Sequence, residues 1–481
     1  MAPFDFDIGI LGAGSAGLTA ASGATKFGAK VLLVEREKMG GDCLHYGCVP
    51  SKTLIRTAKV RHDMLHAERF GLPEVALPPV DFRSVRERIL SVVNTIQQHD
   101  SPERFCSLGV RVEFGEPHFT DTHTVSIGSA TYTARSWLIA TGSSPAVPDI
   151  PGLADTPYLT NRELFYLDSI PASLVILGGG PIAVEMAQAF ARLGTKATII
   201  QRSSQLLTRE DRDLAAVIQT ALEADGVVVH LNAQVAEIKK TVAGCSVVIH
   251  KPDFSATDIE AEALLVALGR TPNLEGLGLQ EIGIKLNSRS LVLDSRLRTS
   301  HPHIYGAGDV TGEYQFTHAA GYEGRVAVTN AILHLPRKVN YALMPWCTYT
   351  DPELASIGMN ELRAKEAGVA YSVWQEPFSA NDRAMTEGAV SGLVKLLLDK
   401  NGKPLGIQIA GPHAGELIAP WIGLMSGGGN LSGLAGAIHP YPTLAEINRK
   451  IAGNVFAEKI FSDRVRSALR FFFNLRGRAC G

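Results

Sequence analysis

A glycine-rich turn between an apolar strand and a helix occurs twice in this chain, and it constrains the fold more than any other feature. The apolar strands are residues 5–11 and 173–177. The turn residues are Gly12, Gly14 and Gly17 in the first copy and Gly178, Gly180 and Ala183 in the second. Such a turn sets backbone N–H groups at the positive end of a helix, where a dinucleotide pyrophosphate binds. We therefore predict an α/β fold with two Rossmann-like nucleotide-binding domains.

The residue that follows the second strand of each copy indicates which nucleotide binds. In the first copy it is Glu35, whose carboxylate can accept hydrogen bonds from a ribose; the alternative is a turn that binds nothing. In the second copy it is Gln201, followed by Arg202. A carboxylate there would repel a 2′-phosphate, whereas a glutamine beside an arginine offers that phosphate charge-assisted hydrogen bonds. We expect NADPH rather than NADH, unless Arg202 is an ordinary solvated charge.

Two cysteines, Cys43 and Cys48, lie close together in the segment 40–52. Five residues of ideal helix rise about 7.5 Å, beyond the roughly 6.8 Å limit between the Cα atoms of a disulfide. A disulfide between them therefore requires a bend before the helix, and Gly47 can supply it. Cys48 would then lie at a helix start with Lys52 one turn later, and both features lower a thiol pKa. The alternative is two unpaired packing cysteines.

Composition excludes several classes of function. A chain of 481 residues suits about three domains, and its net charge of -2 gives no reason to expect nucleic acid as a partner. The first strand begins too early to leave room for a targeting peptide, and no apolar stretch reaches the roughly 18 residues of a membrane span. Six cysteines in so long a chain do not form a disulfide scaffold. We expect a cytoplasmic protein with no resident metal.

Further motifs follow the cysteine segment in a fixed order. They are residues 140–142 (Ala-Thr-Gly), 268–273 (Leu-Gly-Arg-Thr-Pro-Asn), 299–309, 345–352, 414–416 (Ala-Gly-Glu) and 439–446 (His-Pro-Tyr-Pro-Thr-Leu-Ala-Glu). Together with the glycine turns and the cysteine segment, they resemble the FAD-dependent pyridine nucleotide-disulfide oxidoreductases. This is the family of dihydrolipoamide dehydrogenase, glutathione reductase and mercuric reductase. The resemblance covers nearly the whole chain.

The resemblance implies a cofactor and roles for individual residues. The first glycine turn would bind FAD, and hydride would pass from the nicotinamide through the flavin to the cysteine pair. Cys48 would be the flavin-facing thiolate that forms a charge-transfer complex, and Cys43 the interchange thiol that meets the acceptor. Lys52 and Glu185 would pair beside the flavin ring, and Asp309 would hold its ribitol and phosphates. Other implied cofactor-binding positions are Gly115, Thr141, Gly142 and Gly269.

The resemblance also implies how the domains are arranged. An FAD-binding domain would comprise residues 1–152 and 276–337, with an NAD(P)-binding domain at 153–275 between its two parts. Residues 338–481 would form a C-terminal α+β dimerisation domain. The protein would be an obligate homodimer, in which the segment 439–446 of each subunit reaches the active site of its partner.

The sequence departs from the disulfide reductases at Tyr441. Those relatives have a histidine at this position, five residues before Glu446, and it acts as acid and base for the interchange thiol. A tyrosine, whose pKa is near 10, transfers protons poorly at neutral pH. A tyrosine at this position resembles the pattern of mercuric reductases, so we expect a metal ion or another soft electrophile as the acceptor. The alternatives are a small or protein-bound disulfide, a packing role for Tyr441 in a divergent enzyme, and a non-catalytic nucleotide-binding module.

Two features of mercuric reductases are expected to be missing. No amino-terminal domain with a Cys-x-x-Cys motif precedes the first strand, and Cys480 stands alone where a pair is usual. Transfer of Hg(II) from a tail dithiol to the redox pair would then be impaired. The remaining cysteines, expected to be ordinary buried or partly buried thiols, are Cys106, Cys245 and Cys347.

The last residues of the chain alternate arginines with apolar side chains, and no acidic residue follows Asp463. The arginines are Arg464, Arg466, Arg470, Arg476 and Arg478. The apolar residues include Val465, Leu469, Phe471, Phe472, Phe473 and Leu475. A basic amphipathic helix with aromatic residues is typical of peripheral contact with an anionic membrane or a partner. The alternative is that its phenylalanines pack on the protein itself.

Overall fold

The computed structural model describes residues 4–252, 255–287, 290–476 and 479, and only the backbone of Lys459. The chain divides into two compact units, residues 1–204 with 225–341 and residues 205–224 with 342–481. The finer division of the first unit into an FAD-binding and an NAD(P)-binding domain remains a prediction.

The first unit contains most of the strands. These are β1 Phe6–Leu11, β2 Val31–Glu35, β3 Val110–Phe114, β4 Pro117–Phe119, β5 Thr124–Ile127, β6 Ala130–Ile139, β7 Ser143–Pro145, β8 Ser173–Leu177, β9 Lys196–Ile200, β10 Val228–His230, β11 Gln234–Thr241, β12 Gly244–His250, β13 Ala256–Ala261, β14 Ala263–Val266, β15 Arg270–Pro272 and β16 Ile304–Gly306. Its helices are α1 Ser15–Lys26, α2 Gly41–His45, α3 Cys48–Leu65, α4 Phe82–Gln97, α5 Pro102–Ser107, α6 Pro181–Leu193 and α8 Thr317–Leu333.

The second unit combines one earlier helix with the last part of the chain. Its helices are α7 Arg212–Ala224, α9 Glu361–Glu366, α10 Asp382–Thr386, α11 Ala414–Leu417, α12 Ala419–Ser426, α13 Leu431–Gly436, α14 Glu446–Ile460 and α15 Asp463–Phe473. Its strands are β17 Trp346–Thr348, β18 Glu353–Gly358, β19 Ser372–Pro377, β20 Leu393–Leu398 and β21 Pro404–Gly411.

Two parallel sheets of the first unit carry the glycine turns. In the larger sheet the order β3-β2-β1-β6 continues to β16, and all of these pairs are parallel. In the other sheet the order is β10-β9-β8-β14, again with parallel pairs. Each turn follows a strand with a neighbour on both sides, β1 or β8. The predicted α/β architecture with two strand-turn-helix units is therefore confirmed.

The apolar runs of β1 and β8 are continuous because helices and connecting segments cover both faces of their sheets. On β1, Ile8 and Ile10 are fully buried among apolar residues of α1 and α8. On the opposite face, Gly9 leaves room for the ring of Trp137, which is fully buried in the same apolar cluster as Leu11. Packing on both faces fixes the position of β1, and the first glycine turn begins at the carboxyl end of this strand.

The second unit is built on an antiparallel sheet in the order β17-β18-β21-β20-β19. Trp421 and Phe378 are fully buried in its apolar core. Lys395 is also buried, and its Nζ lies 2.7 Å from carboxylate oxygens of Asp213 and Glu361 and 3.3 Å from Asp211. The three acids compensate the cost of burying the ammonium group. Among the described residues, no helix is both long and apolar enough to cross a membrane.

Candidate active site

The first glycine turn joins β1 to α1 through backbone that only glycine tolerates. Gly12 has a φ of +103°, and a Cβ atom on it would lie 2.3 Å from the carbonyl oxygen of Ala140. A Cβ atom on Gly17 would lie 1.9 Å from the carbonyl oxygen of Gly12. Gly14 is the N-cap of α1. The turn thus holds α1 close to β1, and the first N–H groups of the helix are available to a pyrophosphate.

Glu35 lies beside this turn at the end of β2, and backbone amides orient its carboxylate. Oε2 accepts a hydrogen bond of 2.8 Å from the amide of Ala13, and Oε1 accepts one of 2.8 Å from Glu37. The amide of Gly115 donates to the carbonyl oxygen of Glu35 at 2.9 Å. Glu35 and Gly115 therefore lie together at the carboxyl ends of β2 and β3, where parallel sheets bind nucleotides.

Thr141 and Gly142 follow β6, and Asn273 holds both. The hydroxyl of Thr141 donates to the carbonyl oxygen of Asn273 at 2.6 Å, and the Asn273 side chain donates back to Thr141 at 3.0 Å. The Asn273 amide donates to the carbonyl oxygen of Gly142 at 3.0 Å. Gly269 accepts a hydrogen bond from Ala146 at 2.9 Å. Hydrogen bonds therefore hold the motifs 140–142 and 268–273 together, although they are far apart in the sequence.

Asp309 is fixed by side chains that sequence reasoning did not single out. Ser143 donates its hydroxyl to Oδ2 of Asp309, and Nε of Arg270 lies 3.6 Å from the same oxygen. Burial raises the pKa of Asp309, against the opposing effects of Ser143 and Arg270. A second Arg270 nitrogen lies 3.1 Å from Oδ2 of Asp42, the residue before Cys43. Arg270 therefore connects the predicted flavin ligand to the cysteine segment.

Glu323 on α8 is a fully buried carboxylate that sequence reasoning missed. The amide of Gly308 donates to one of its oxygens and the hydroxyl of Tyr341 to the other, both at 2.6 Å. Burial raises the pKa of Glu323 to about 7. Because Gly308 directly precedes Asp309, Glu323 orients the turn that presents the predicted flavin ligand. The glycine turn, the carboxylate of Glu35 and the fixed carboxylate of Asp309 fit an FAD dinucleotide.

The chain bends between the two redox cysteines. Cys43 lies in α2, which ends at His45, and Cys48 is the first residue of α3. Gly47 lies between the helices with φ −126° and ψ −115°, which are not helical. Both cysteines are free thiols, and their side chains are hydrogen-bonded to each other. The predicted bend at Gly47 and the helix start at Cys48 are confirmed.

The surroundings of Cys48 stabilise its thiolate. The hydrogen bond from Cys43 lowers the pKa of Cys48 most, and Thr317 and Lys52 lower it further, to about 6, against the opposing effects of desolvation and of Glu185. The Cys48 side chain is itself exposed. The Thr317 hydroxyl lies 3.5 Å from the Cys48 sulfur. The same hydrogen bond between the thiols, together with burial, raises the pKa of Cys43. At neutral pH the negative charge therefore resides on Cys48, as expected for the flavin-facing sulfur.

Lys52 and Glu185 form the predicted ion pair. Nζ of Lys52 on α3 donates to Oε2 of Glu185 on α6 at 2.7 Å, and Glu185 is buried while Lys52 is about one third exposed. The carboxylate of Asp225 makes a second contact between these helices. It lies 3.3 Å from Nδ1 of His62 on α3 and accepts a 2.9 Å hydrogen bond from Nε of Arg192 on α6. Two separate polar contacts therefore join α3, which begins at Cys48, to α6, which follows the second glycine turn.

The second glycine turn precedes α6. Gly178 has a φ of +111°, and a Cβ atom on it would lie 2.5 Å from the carbonyl oxygen of Ala267. Gly180 is the N-cap of α6, and a Cβ atom there would meet nothing within 4 Å. Ala183 is fully buried, whereas Arg202 has an exposed side chain just beyond β9. The space at Gly180 fits a pyrophosphate that approaches the backbone closely.

In the second unit, Tyr441 is exposed and pairs with an acid. Its hydroxyl donates to Oδ2 of Asp382 at 2.9 Å, and that carboxylate raises the pKa of Tyr441. Glu446 begins α14, and its Oε2 accepts a 3.4 Å hydrogen bond from the amide of Thr443. His439 has its Nδ1 3.1 Å from the carbonyl oxygen of Ala437. Asp382 was not identified from the sequence, because no local pattern links it to Tyr441.

The other predicted thiols differ in exposure. Cys245 is buried and Cys347 partly buried, as expected, but Cys106 is exposed, so the prediction for Cys106 is wrong. Cys106 lies near the end of the short helix α5, where only Phe105 is buried. Cys480 and Arg478 lie outside the described residues.

Comparison with known families agrees with this geometry. Residues 6–324 match the model of the pyridine nucleotide-disulphide oxidoreductases, and residues 344–451 match the dimerisation domain of the same family. The two matches together cover most of the chain, and the first includes both glycine turns and both redox cysteines.

Several characterised proteins are similar over nearly their whole length. A mercuric reductase of Streptomyces lividans is 33% identical over 95% of this chain and 97% of its own. A dihydrolipoyl dehydrogenase of Geobacillus stearothermophilus is 35% identical over 92% of this chain and 94% of its own.

Among solved structures, the Cu(II) complex of the HOCl-induced flavoprotein disulfide reductase RclA from Escherichia coli superposes with a TM-score of 0.83. It is 30% identical and covers 94% of this chain and 99% of its own. Both family models and these relatives agree with the predicted fold class of two nucleotide-binding domains and a dimerisation domain. The chain is a flavin-dependent oxidoreductase of the pyridine nucleotide-disulphide oxidoreductase family.

Proposed function

We propose that this enzyme uses NADPH to reduce a soft metal ion held by Cys43 and Cys48, and not a small disulfide. The observation that carries the proposal is the state of Tyr441. Its hydroxyl is bonded to Asp382, and this carboxylate raises its pKa above the ordinary value. A group that stays protonated across the neutral range cannot alternate between acid and base, which thiol-disulfide interchange requires.

Metal reduction does not need such a proton shuttle. Thiolates are preferred ligands of soft metal ions, and Cys48 is a thiolate above pH 6 or so. Bound Hg(II) is reduced to Hg(0) by two electrons that come from the reduced pyridine nucleotide, and the Cys43 and Cys48 sulfurs hold the metal as thiolates. FAD held by the first glycine turn, Glu35 and Asp309 would take a hydride from the reduced pyridine nucleotide and would supply the two electrons to the metal ion on the sulfurs. The thiol proton of Cys43 leaves when the metal binds.

The relatives support a metal acceptor without deciding which metal. Mercuric reductases of Streptomyces lividans and Staphylococcus aureus each match 95% of this chain at 33% identity. RclA, at 30% identity, forms a Cu(II) complex. Dihydrolipoyl dehydrogenases are equally similar, so the identity of the acceptor depends on the chemistry around Tyr441 and the two thiols.

NADPH oxidation by the FAD-loaded enzyme tests the proposal directly. Separate assays would contain thiol-complexed Hg(II), Cu(II), lipoamide and oxidised glutathione. We expect turnover with a metal ion and little with either disulfide, and Cys43→Ser should abolish metal turnover. Metal turnover that survives Cys43→Ser would indicate a flavin reductase that does not use the cysteines. Rapid turnover with lipoamide alone would refute the proposal in favour of a disulfide substrate.

We further propose NADPH as the preferred nucleotide. The support is the exposed guanidinium of Arg202 at the carboxyl end of β9, beside Gln201 instead of an acidic residue. We expect Arg202→Ala to raise KM for NADPH by about tenfold, because a hydrogen bond between charged groups usually strengthens binding by about that factor. KM for NADH should not change. Equal values of kcat/KM for both nucleotides in the wild-type enzyme would contradict this assignment.

We also propose that the enzyme is a homodimer in which residues 439–446 of one subunit complete the active site of the other. The match of residues 344–451 to the family's dimerisation domain supports it. Mixing Cys43→Ser/Tyr441→His subunits with wild-type subunits should create lipoamide reduction that neither parent enzyme has, because one site of the mixed dimer combines the Cys43 thiol of the wild-type subunit with the imidazole of the other. A mixture with no more lipoamide reduction than the average of the two parent enzymes would argue against shared sites.

A further inference from the structure

Helix α15, at Asp463–Phe473, lies beyond the part of the chain that matches the dimerisation domain, which ends at residue 451. None of its residues is buried. Its three phenylalanines are exposed by 84% at Phe471, 77% at Phe472 and 70% at Phe473. Three consecutive phenylalanines in contact with water are unusual on a protein surface and indicate a contact with another phase or molecule. The exposure of these rings contradicts the alternative that they pack on their own subunit.

The side chains of α15 are segregated around the helix axis. Val465, Leu469 and Phe472 follow a spacing of four and three residues, which places them on one face. Val465 and Leu469 are half-buried, whereas Phe472 at the other end of this face is exposed to solvent. Arg464 projects on one side of the apolar face, and Arg466 with Arg470 project on the other. Cationic groups therefore border the apolar face on both sides.

The charge of this segment distinguishes between possible occupants of the apolar face. Beyond Asp463 every charged side chain of the described chain is cationic, including that of Arg476. Asp463 itself is paired with Arg466 at 2.8 Å, an exposed contact that contributes little. Arginine and phenylalanine are also enriched in subunit interfaces. Here the arginines border an exposed apolar face and no acidic side chain follows Asp463, a pattern that suits a surface of lipid phosphates.

We propose that residues 463–476 bind the enzyme to an anionic membrane surface. The rings of Phe472 and Phe473 and the side chain of Leu475 enter the boundary between headgroups and acyl chains, and the arginines contact lipid phosphates. Each arginine near an anionic surface strengthens binding by about fivefold, and each aromatic ring by about tenfold or more. The helix lies along the surface, and α15 is too short to span a bilayer.

Sedimentation of the FAD-loaded, full-length enzyme with vesicles tests this. Vesicles of equal parts phosphatidylglycerol and phosphatidylcholine would be compared with phosphatidylcholine alone. We expect binding to the anionic vesicles only, weakened by added salt because the attraction is partly electrostatic. Arg464→Gln/Arg466→Gln/Arg470→Gln should reduce partitioning by about a hundredfold.

A second variant tests the apolar contribution. Phe471→Ser/Phe472→Ser/Phe473→Ser should abolish vesicle binding and leave the subunit mass in light scattering unchanged. The matched control Phe70→Ser/Leu72→Ser alters two other exposed apolar residues, 58% and 59% exposed, and should bind like the wild type. Absence of binding by the wild-type enzyme, equal binding by the triple-serine variant, or dissociation of the dimer in that variant would each overturn the proposal. The last outcome would assign α15 to the subunit interface.

Discussion

The hydroxyl of Tyr441 donates a 2.9 Å hydrogen bond to Oδ2 of Asp382, 59 residues earlier in the chain. The carboxylate of Glu446, five residues after Tyr441, instead accepts a hydrogen bond from the backbone of Thr443. The tyrosine is thereby paired with an acid that favours its protonated form. We therefore expect the proton chemistry at Tyr441 to differ from that of a disulfide reductase, for which the family resemblance implies a histidine at this position.

Tyr441→His should create disulfide reductase activity. An imidazole near its ordinary pKa can exchange protons with Cys43 at neutral pH, and we expect kcat/KM for lipoamide to rise by roughly a hundredfold. The assay is NADPH oxidation with lipoamide, with Tyr441→Phe as the control that removes the hydroxyl without adding a base. An unchanged rate in Tyr441→His would mean that Tyr441 does not determine the choice of acceptor.

The thiolate of Cys48 should titrate near pH 6. Because the pKa of Cys48 is lowered to about 6, the thiolate is present above that pH and is lost as the pH falls below it. The ultraviolet absorbance of thiolate in the reduced, flavin-free enzyme should therefore decrease in one step around pH 6. Cys48→Ser should lack this step, and Cys106→Ser should retain it. A step near the ordinary thiol value of 9.0 would contradict the proposed role of the Cys43 hydrogen bond.

Removing the Lys52 ammonium should raise the pKa of Cys48. Lys52 lowers that pKa and also compensates the buried carboxylate of Glu185, so Lys52→Met leaves a negative charge near the thiolate. We expect an increase of about one pH unit in the thiolate titration and a loss of about 2 kcal/mol in the free energy of unfolding. The additional substitution Glu185→Gln should return the thiolate pKa and the free energy of unfolding most of the way to their wild-type values. If the double variant is as perturbed as Lys52→Met, the two residues do not act as a pair.

The two glycine turns should respond differently to alanine. Gly17→Ala places a Cβ atom 1.9 Å from the carbonyl oxygen of Gly12, and we expect a loss of about 3 kcal/mol in unfolding free energy together with loss of FAD. Gly180→Ala meets no atom within 4 Å and should change stability by only a few tenths of a kcal/mol. It should nevertheless raise KM for NADPH, because the methyl group occupies the space of the pyrophosphate. Normal KM in Gly180→Ala would show that the nucleotide does not approach this turn.

Glu323 should make stability depend on pH. Its folded pKa of about 7 exceeds the ordinary 4.5, so its contribution is fully present below pH 4.5 and is lost as the pH rises through 7. Relative to Glu323→Gln, the flavin-free wild-type enzyme should lose up to about 3 kcal/mol of unfolding free energy across this range. Parallel curves for the two proteins would refute the assignment. In Glu323→Ala we also expect weaker FAD binding, because Gly308 and Tyr341 lose their common acceptor.

Local sequence patterns predicted the parts of the site that local physics determines. The strands β1 and β8 and the helices that follow them were expected from the apolar runs 5–11 and 173–177 and the two glycine turns, and the bend at Gly47 from the geometry of a disulfide. These features depend on residues a few positions apart. The contact between Cys48 and Thr317 spans 269 residues, and no spacing in the sequence indicates it.

Long-range polar contacts were therefore the part that sequence reasoning missed. Arg270 belonged to a recognised motif, but its contacts with Asp42 and Asp309 became evident only when the fold brought three segments together. The carboxylate of Glu323 lies in an apolar helix and gave no functional signal in the sequence. The exposure of Cys106 was mispredicted because its helix α5 has a single buried residue and leaves most of its surface in water.

The two contacts between α3 and α6, Lys52 with Glu185 and His62 with Asp225 and Arg192, have a consequence for the geometry of electron transfer. Each contact resists sliding or rotation of one helix along the other, so the separation between the nucleotide turn and the thiols is set mechanically. We expect the separation between the second glycine turn and the thiols to stay the same whichever acceptor is used. On the proposed function, substitutions around Tyr441 would change the range of acceptors and would leave this separation as it is.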